Sequence, residues 1–215
     1  MSPLRDRAGA ACALAALVLA AVSACSTDNP SSNPATLARD ATANVACTDV
    51  SADCAQQYIR RASACAQLNT STDARKNDEA RRCAVQNFLE AERHAPAGAS
   101  EVTRTDALIG LADAQKTLYD NAPDAQSAHD AQTQLDQTLS RLGRQDGGPP
   151  YVQYYAADRL VAQSNDPAMP DADACQRLHL ARDSLPSGEL NAQLAQRVTT
   201  LRNVLAFNFQ RRRCT

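Results

Sequence analysis

The chain has no tryptophan, only Lys76 and Lys116 as lysines, and seven glycines in 215 residues. So few glycines leave no P-loop, no Rossmann fingerprint and no G-x-S-x-G elbow, and H-E-x-x-H is missing too. The nucleotide-binding, hydrolase and metalloprotease chemistries that travel with those motifs have no starting point here. No stretch alternates apolar and polar residues long enough to make a half-buried strand. Aromatic residues make up 4% of the chain, so large apolar groups are scarce and alanine fills many of the positions spaced for burial. Each alanine removes far less surface from water than a leucine would, at ~25 cal/mol per Å². A positive excess is also lacking: 22 Lys+Arg stand against 24 Asp+Glu, a formal charge of −2. That balance argues against nucleic acid as the main partner. The dominance of arginine over lysine reads as base composition rather than function.

The one long apolar run lies at the start. Arg5 and Arg7 precede residues 8–24, which are almost wholly Ala, Leu, Val and Cys. A charged beginning followed by an apolar stretch is the pattern of a secretory signal. The run is short for a spanning helix, which needs ~20 residues. It ends at Val22-Ser23-Ala24-Cys25. One reading is an ordinary signal peptide cut near Ala24, with Cys25 incidental. The other is that this tetrapeptide, one aliphatic residue, two small ones and cysteine, resembles the lipobox of bacterial lipoproteins. The resemblance implies a Cys25 thiol joined to diacylglycerol and a mature chain that begins at Cys25. One acyl chain holds a protein only marginally and two or more hold it stably. Ser26, rather than aspartate, follows the cysteine, which resembles an outer-membrane address. Residues 26–46 are polar, contain Pro30 and Pro34, and read as a flexible tether with a reach of roughly 25 Å. The expected layout is a removed signal over 1–24, a lipidated cysteine and tether over 25–46, and a folded domain over 47–214.

Cleavage after Ala24 leaves 215 − 24 = 191 residues, which suits one domain or two small ones. Loss of Arg5, Arg7 and Asp6 leaves 20 basic against 23 acidic residues, a net charge of −3. Of eight cysteines, Cys12 leaves with the signal and Cys25 takes lipid, so six remain: Cys47, Cys54, Cys65, Cys83, Cys175 and Cys214. An even number in an exported chain points to three disulfides, with fifteen connectivities open on sequence alone.

Apolar residues recur at helical spacing over 54–68, 79–94, 101–119, 124–142, 151–164, 172–184 and 189–210. Turn chemistry separates these segments, including Asn69–Asp73 within a long loop over 69–78, Asn121-Ala122-Pro123, Gly147-Gly148-Pro149-Pro150 and Pro186-Ser187-Gly188. Ser100 and Ser187 are candidate N-caps. The expectation is an all-α chain of seven helices in antiparallel hairpins, fastened by disulfides. If 54–68 and 79–94 form one hairpin, Cys65 lies opposite Cys83. Cys47 and Cys54 can close a short clip at the start of the first helix. By elimination Cys214 folds back to Cys175. A metal reading competes, since Cys175 and His179 share a helix face, but no further ligands stand at zinc-like spacing and an oxidising compartment favours the disulfide.

Ala84, Phe88, Ala91 and Pro96 follow the second-helix spacing of tetratricopeptide (TPR) repeats, and Ile109-Gly110-Leu111-Ala112 echoes the first helix. The array resembles a TPR-like solenoid fragment. That resemblance implies a surface that binds another protein. TPR-like envelope lipoproteins commonly serve the assembly of envelope machines such as pili, secretion pores or outer-membrane complexes.

No residue stands out as catalytic, as a metal ligand or as a cofactor ligand. His94, His129 and His179 sit in no catalytic motif, and Glu90 with Glu92, and Asp171 with Asp173, point to different helix faces. Tyr151, Tyr154 and Tyr155 are the candidate partner-binding residues, either core and rim aromatics or the lining of a recognition groove. Arg211-Arg212-Arg213 reads as a solvated helix end or a contact for anionic lipid. The functional expectation is a non-enzymatic, lipid-anchored periplasmic scaffold that binds an envelope protein. The alternative is an inhibitor or immunity lipoprotein that blocks a periplasmic toxin or hydrolase. A third reading is an envelope enzyme or peptidoglycan binder.

Overall fold

The computed structural model describes residues 33–96 and 101–214. They form eight α-helices: α1 Pro34–Thr42, α2 Ala52–Gln67, α3 Ala74–His94, α4 Glu101–Asp120, α5 Ala125–Leu142, α6 Pro149–Ser164, α7 Asp171–Asp183 and α8 Ala192–Arg212. No strand occurs among the described residues. The architecture is all-α, with short connections joining successive helices into hairpins. No helix of the described residues is long and apolar enough to cross a membrane.

Side chains that can accept from the first free backbone N–H groups set most of the helix starts. Asn33, Ser51, Asp73, Asp124 and Asn191 each do so, the last accepting from the Leu194 N–H at 2.9 Å. The N–H bond from Ser127 also holds the Asp124 carboxyl below its ordinary pKa. At α6 the fixed φ of Pro149 and Pro150 suits the first turn instead. Just before it, a Cβ on Gly148 would fall 1.8 Å from the Leu142 carbonyl oxygen, so only glycine permits that chain reversal.

Three expectations are corrected. Residues 34–42, inside the segment expected to be a flexible tether, form α1. Asn33 and Pro34 start it, and Leu37 and the buried Ala41 join the first core cluster where α1 packs on α2. Arg61 of α2 holds the Ala41 carbonyl at 3.0 Å. The long loop over 69–78 is shorter than expected, because Asp73 caps α3 and the helix starts at Ala74, five residues ahead of the expected 79. Ser187 caps nothing: the chain passes Gly188 at φ +93° and α8 starts at Asn191. Ser100 lies outside the described residues.

The core runs along the chain as three joined clusters. The first gathers Ala41, Ala62, Cys65, Ala84, Phe88 and Leu111 from α1 to α4. The second gathers Leu108, Leu135, Leu142, Tyr151, Tyr155 and Val198 from α4, α5, α6 and α8. The third gathers Ala157, Val161, Leu178, Leu201 and Leu205 from α6 to α8. α4 and α6 each serve two clusters, so no hairpin stands alone.

Three disulfides fasten this array. Cys47–Cys54 ties the segment before α2 to its first turn. Cys65–Cys83 joins α2 to α3 with Cα atoms 5.8 Å apart, and Cys175–Cys214 joins α7 to the end of α8 at 5.5 Å. These are the three expected pairs: Cys65–Cys83 from the hairpin register, Cys47–Cys54 as the short clip and Cys175–Cys214 by elimination. Each constrains the unfolded chain, typically by 2–4 kcal/mol, which offsets the shortage of large side chains in the core.

Candidate functional site

One face of α4 carries Asp106, Ile109, Gly110 and Asp113, spaced three, four and seven residues apart. α2 stands on one side with Ile59 and Ser63, α8 on the other with Gln193 and Arg197, and Phe88 of α3 closes the base. Together they bound a cleft of about 350 Å³. Its base depends on Gly110, since a Cβ there would meet the Phe88 ring at 2.2 Å.

The two acidic residues of the cleft are in opposite conditions. Asp113 is fully engaged. Arg197 donates to it through both terminal nitrogens, at 2.8 and 2.6 Å. The Tyr155 hydroxyl donates to the same carboxylate at 2.6 Å. Arg197 also lies over the Tyr154 ring, 5.9 Å from its centroid. Burial works to lower the Arg197 pKa, but the hydrogen-bonded Asp113 outweighs it and the net shift is upward. Burial raises the Tyr155 pKa, and the Asp113 charge adds to it. Burial and the Asp158 charge push Tyr154 up to about 12. Asp106 is exposed at the cleft and has no hydrogen-bond or ion-pair partner among the described residues. The surrounding protein still displaces enough water to raise its carboxyl pKa.

Behind this cleft a second ionic group joins α4 to α6. Lys116 reaches Asp120 at 2.5 Å and Asp158 at 3.2 Å. Burial would lower the Lys116 pKa, and the two carboxylates raise it more. Burial raises Asp158, with Lys116 opposing. The cleft therefore presents a closed ion pair at one end and an open carboxylate at the other. That pattern suits the recognition of a cation.

The tyrosines read as either core and rim aromatics or the lining of a recognition groove do not line this cleft. Tyr151 and Tyr155 are 2% and 3% exposed and belong to the central cluster. Tyr154 is half-buried beside it. Positions 151, 154 and 155 share the inward face of α6, so their i, i+3, i+4 spacing is the core stripe of that helix. Tyr151 reaches out only through its hydroxyl, to Asn191 and Gln193.

Arg212 is likewise no free cation. It donates to the Ser164 and Asp166 carbonyls at 2.9 and 2.8 Å and to the Asp171 carboxylate at 2.9 Å. Arg211 bonds Asn165, and Arg213 ends the helix in the left-handed region at φ 54°. Cys47, Asp49 and Cys54 bring their ligand atoms within 4.8 Å of one another, but the two sulfurs are spent on a disulfide. Cys175 is spent in the same way, and His179 packs edge-on against Phe209. Cys25 and the tetrapeptide that ends in it lie outside the described residues.

Reading the sequence missed Asp106, Asp113, Arg197, Ile59, Ser63 and Gln193. Only the α4 face leaves a trace, two aspartates seven apart with a glycine between them. Arg197 is 84 residues from Asp113, and nothing local links them.

Fold and site define an all-α protein of stacked helical hairpins, fastened by three disulfides, with a charged cleft across α2, α4 and α8. Compared with protein-family models, with curated proteins and with solved structures, the chain matches none.

Proposed function

We propose that the protein is a non-enzymatic adaptor, anchored by lipid at Cys25 to the periplasmic side of the outer membrane, that holds another envelope protein. The observation that carries this reading is the pairing of all six downstream cysteines into three disulfides, which belongs to an oxidising compartment. The tetrapeptide Val22-Ser23-Ala24-Cys25 at the end of the apolar run supports the anchor. Supporting a TPR-like binding role, Ala84 and Ala91 are buried in the seams of α3, and Phe88 seats on Gly110.

The test is cross-linking in intact cells, with recovery of the tagged protein beside a Cys25→Ser control. The adaptor reading expects a defined envelope assembly recovered with the wild type and lost with the control. A single soluble toxin or hydrolase recovered equally with both forms contradicts it.

A further inference from the structure

We infer that the cleft between α2, α4 and α8 is where the partner docks, and that it seats a single lysine or arginine side chain of an envelope protein against Asp106. This rests on the adaptor reading and names the chemistry of its contact.

Charge selects the occupant. The charged groups that line the cleft are Asp106 and Asp113 from α4 and Arg197 from α8, while α2 and α3 supply only Ile59, Ser63 and Phe88. Asp113 and Arg197 neutralise each other through two hydrogen bonds, which leaves one negative charge at Asp106. The positions three and four residues away along α4 are Val102, Thr103, Ile109 and Gly110, so no neighbour on its own helix supplies a cation. A partly desolvated carboxylate without a countercharge costs stability, and an incoming ammonium or guanidinium removes that cost.

Size and walls narrow the fit. About 350 Å³ lies near the lower end of small-ligand pockets and has room for one long side chain with its adjoining backbone. Ile59, Ile109 and Phe88 offer apolar surface to the methylene stem of a lysine or arginine, which buries its stem while its charged head finds a partner. Asp106 is the single charge of the cleft left without a counterion, so the cleft takes one basic residue and not a run of them.

The experiment uses the full chain purified in detergent and two fluorescent probe peptides read by anisotropy. One is acetyl-Ala-Leu-Lys-Leu-Ala-amide. The other carries uncharged norleucine in place of the lysine. The expected result is binding of the lysine peptide at least tenfold tighter than the norleucine peptide. Asp106→Asn then brings the two to the same affinity. Ser63→Trp, which fills the cleft from α2, weakens the lysine peptide. Asp130→Asn, an exposed carboxylate on α5, changes neither. Equal affinity for the two peptides, no binding of either, or a lysine preference that survives Asp106→Asn or Ser63→Trp overturns the inference. The adaptor reading is judged separately by cross-linking in cells. Partner recovery that persists in Asp106→Asn leaves the adaptor standing and removes the cleft from it. Lysine-selective binding lost in Asp106→Asn, with no partner in cells, does the reverse.

Discussion

At Gly110 a single hydrogen stands where any other residue would place a carbon 2.2 Å from the Phe88 ring. Phe88 is among the few large side chains in the first cluster, so the α3–α4 seam depends on this contact. Gly110→Ala is expected to destabilise the protein by about 1–3 kcal/mol through overpacking, measured by urea denaturation. Adding Phe88→Leu is expected to recover part of that loss, and simple additivity of the two changes would show that the ring is not the obstacle. Asp106 makes a prediction in pH. Its folded pKa is raised above the ordinary 3.8, so the folded state holds the proton more tightly than the unfolded state. Stability contributed by this group therefore falls as pH rises from the ordinary value through the raised one, and stays lower above it. Asp106→Asn removes that slope. The stability difference between variant and wild type is expected to grow in the variant's favour across the acidic range and then level off. A constant difference from pH 3 to pH 7 would contradict the raised value. These residues also show what a sequence hides. In one dimension Tyr151, Tyr154 and Tyr155 read as core aromatics or as a recognition patch, and only the fold shows that they belong to and border the central cluster. Asp106, which looks like any solvated acid, is the open carboxylate of the cleft.

Between helices, the connection from α6 to α7 is fixed from a distance. Arg212, near the end of α8, donates to the Ser164 and Asp166 carbonyls and to Asp171, and so satisfies groups that α6 leaves free at its C-terminus. Arg212→Ala is expected to cost about 1.5–3 kcal/mol, since hydrogen bonds to charged groups fall in that range. Amide exchange should speed up across residues 165–170, while α2 and α3 keep their protection. Arg212→Lys is not expected to restore it, because a point ammonium cannot reproduce the guanidinium fork. Unchanged exchange in 165–170 would show that the Cys175–Cys214 bridge holds this end by itself. At the other end, removing Cys65–Cys83 by a double change to alanine is expected to cost about 2–4 kcal/mol in the same denaturation assay. Element existence was legible because apolar spacing and Pro/Gly breaks agree along most of the chain. α1 was not, because Leu37 is the one large apolar side chain among its nine residues and its helix is held by an Asn33 cap, Pro34 and packing from α2. The boundary of α3 was missed because residues 74–79 carry charge on every side and only the Asp73 cap marks the start.

Across the whole molecule, three modest clusters share α4 and α6, so stability is distributed along the array rather than held in one large core. Disulfides reinforce both ends of that array, Cys47–Cys54 and Cys65–Cys83 on the first hairpin and Cys175–Cys214 on the last. The cleft draws its walls from α2, α4 and α8, helices far apart in sequence, and for that reason could not be read before the chain was folded. Export and anchoring remain the central proposal, and an intact mass of the mature protein under non-reducing conditions tests both at once. The account predicts a chain of 215 − 24 = 191 residues that begins at Cys25, carries the added mass of its acyl groups, and lacks six hydrogens for three disulfides. A chain that begins elsewhere, an unmodified Cys25, or six free thiols would contradict it.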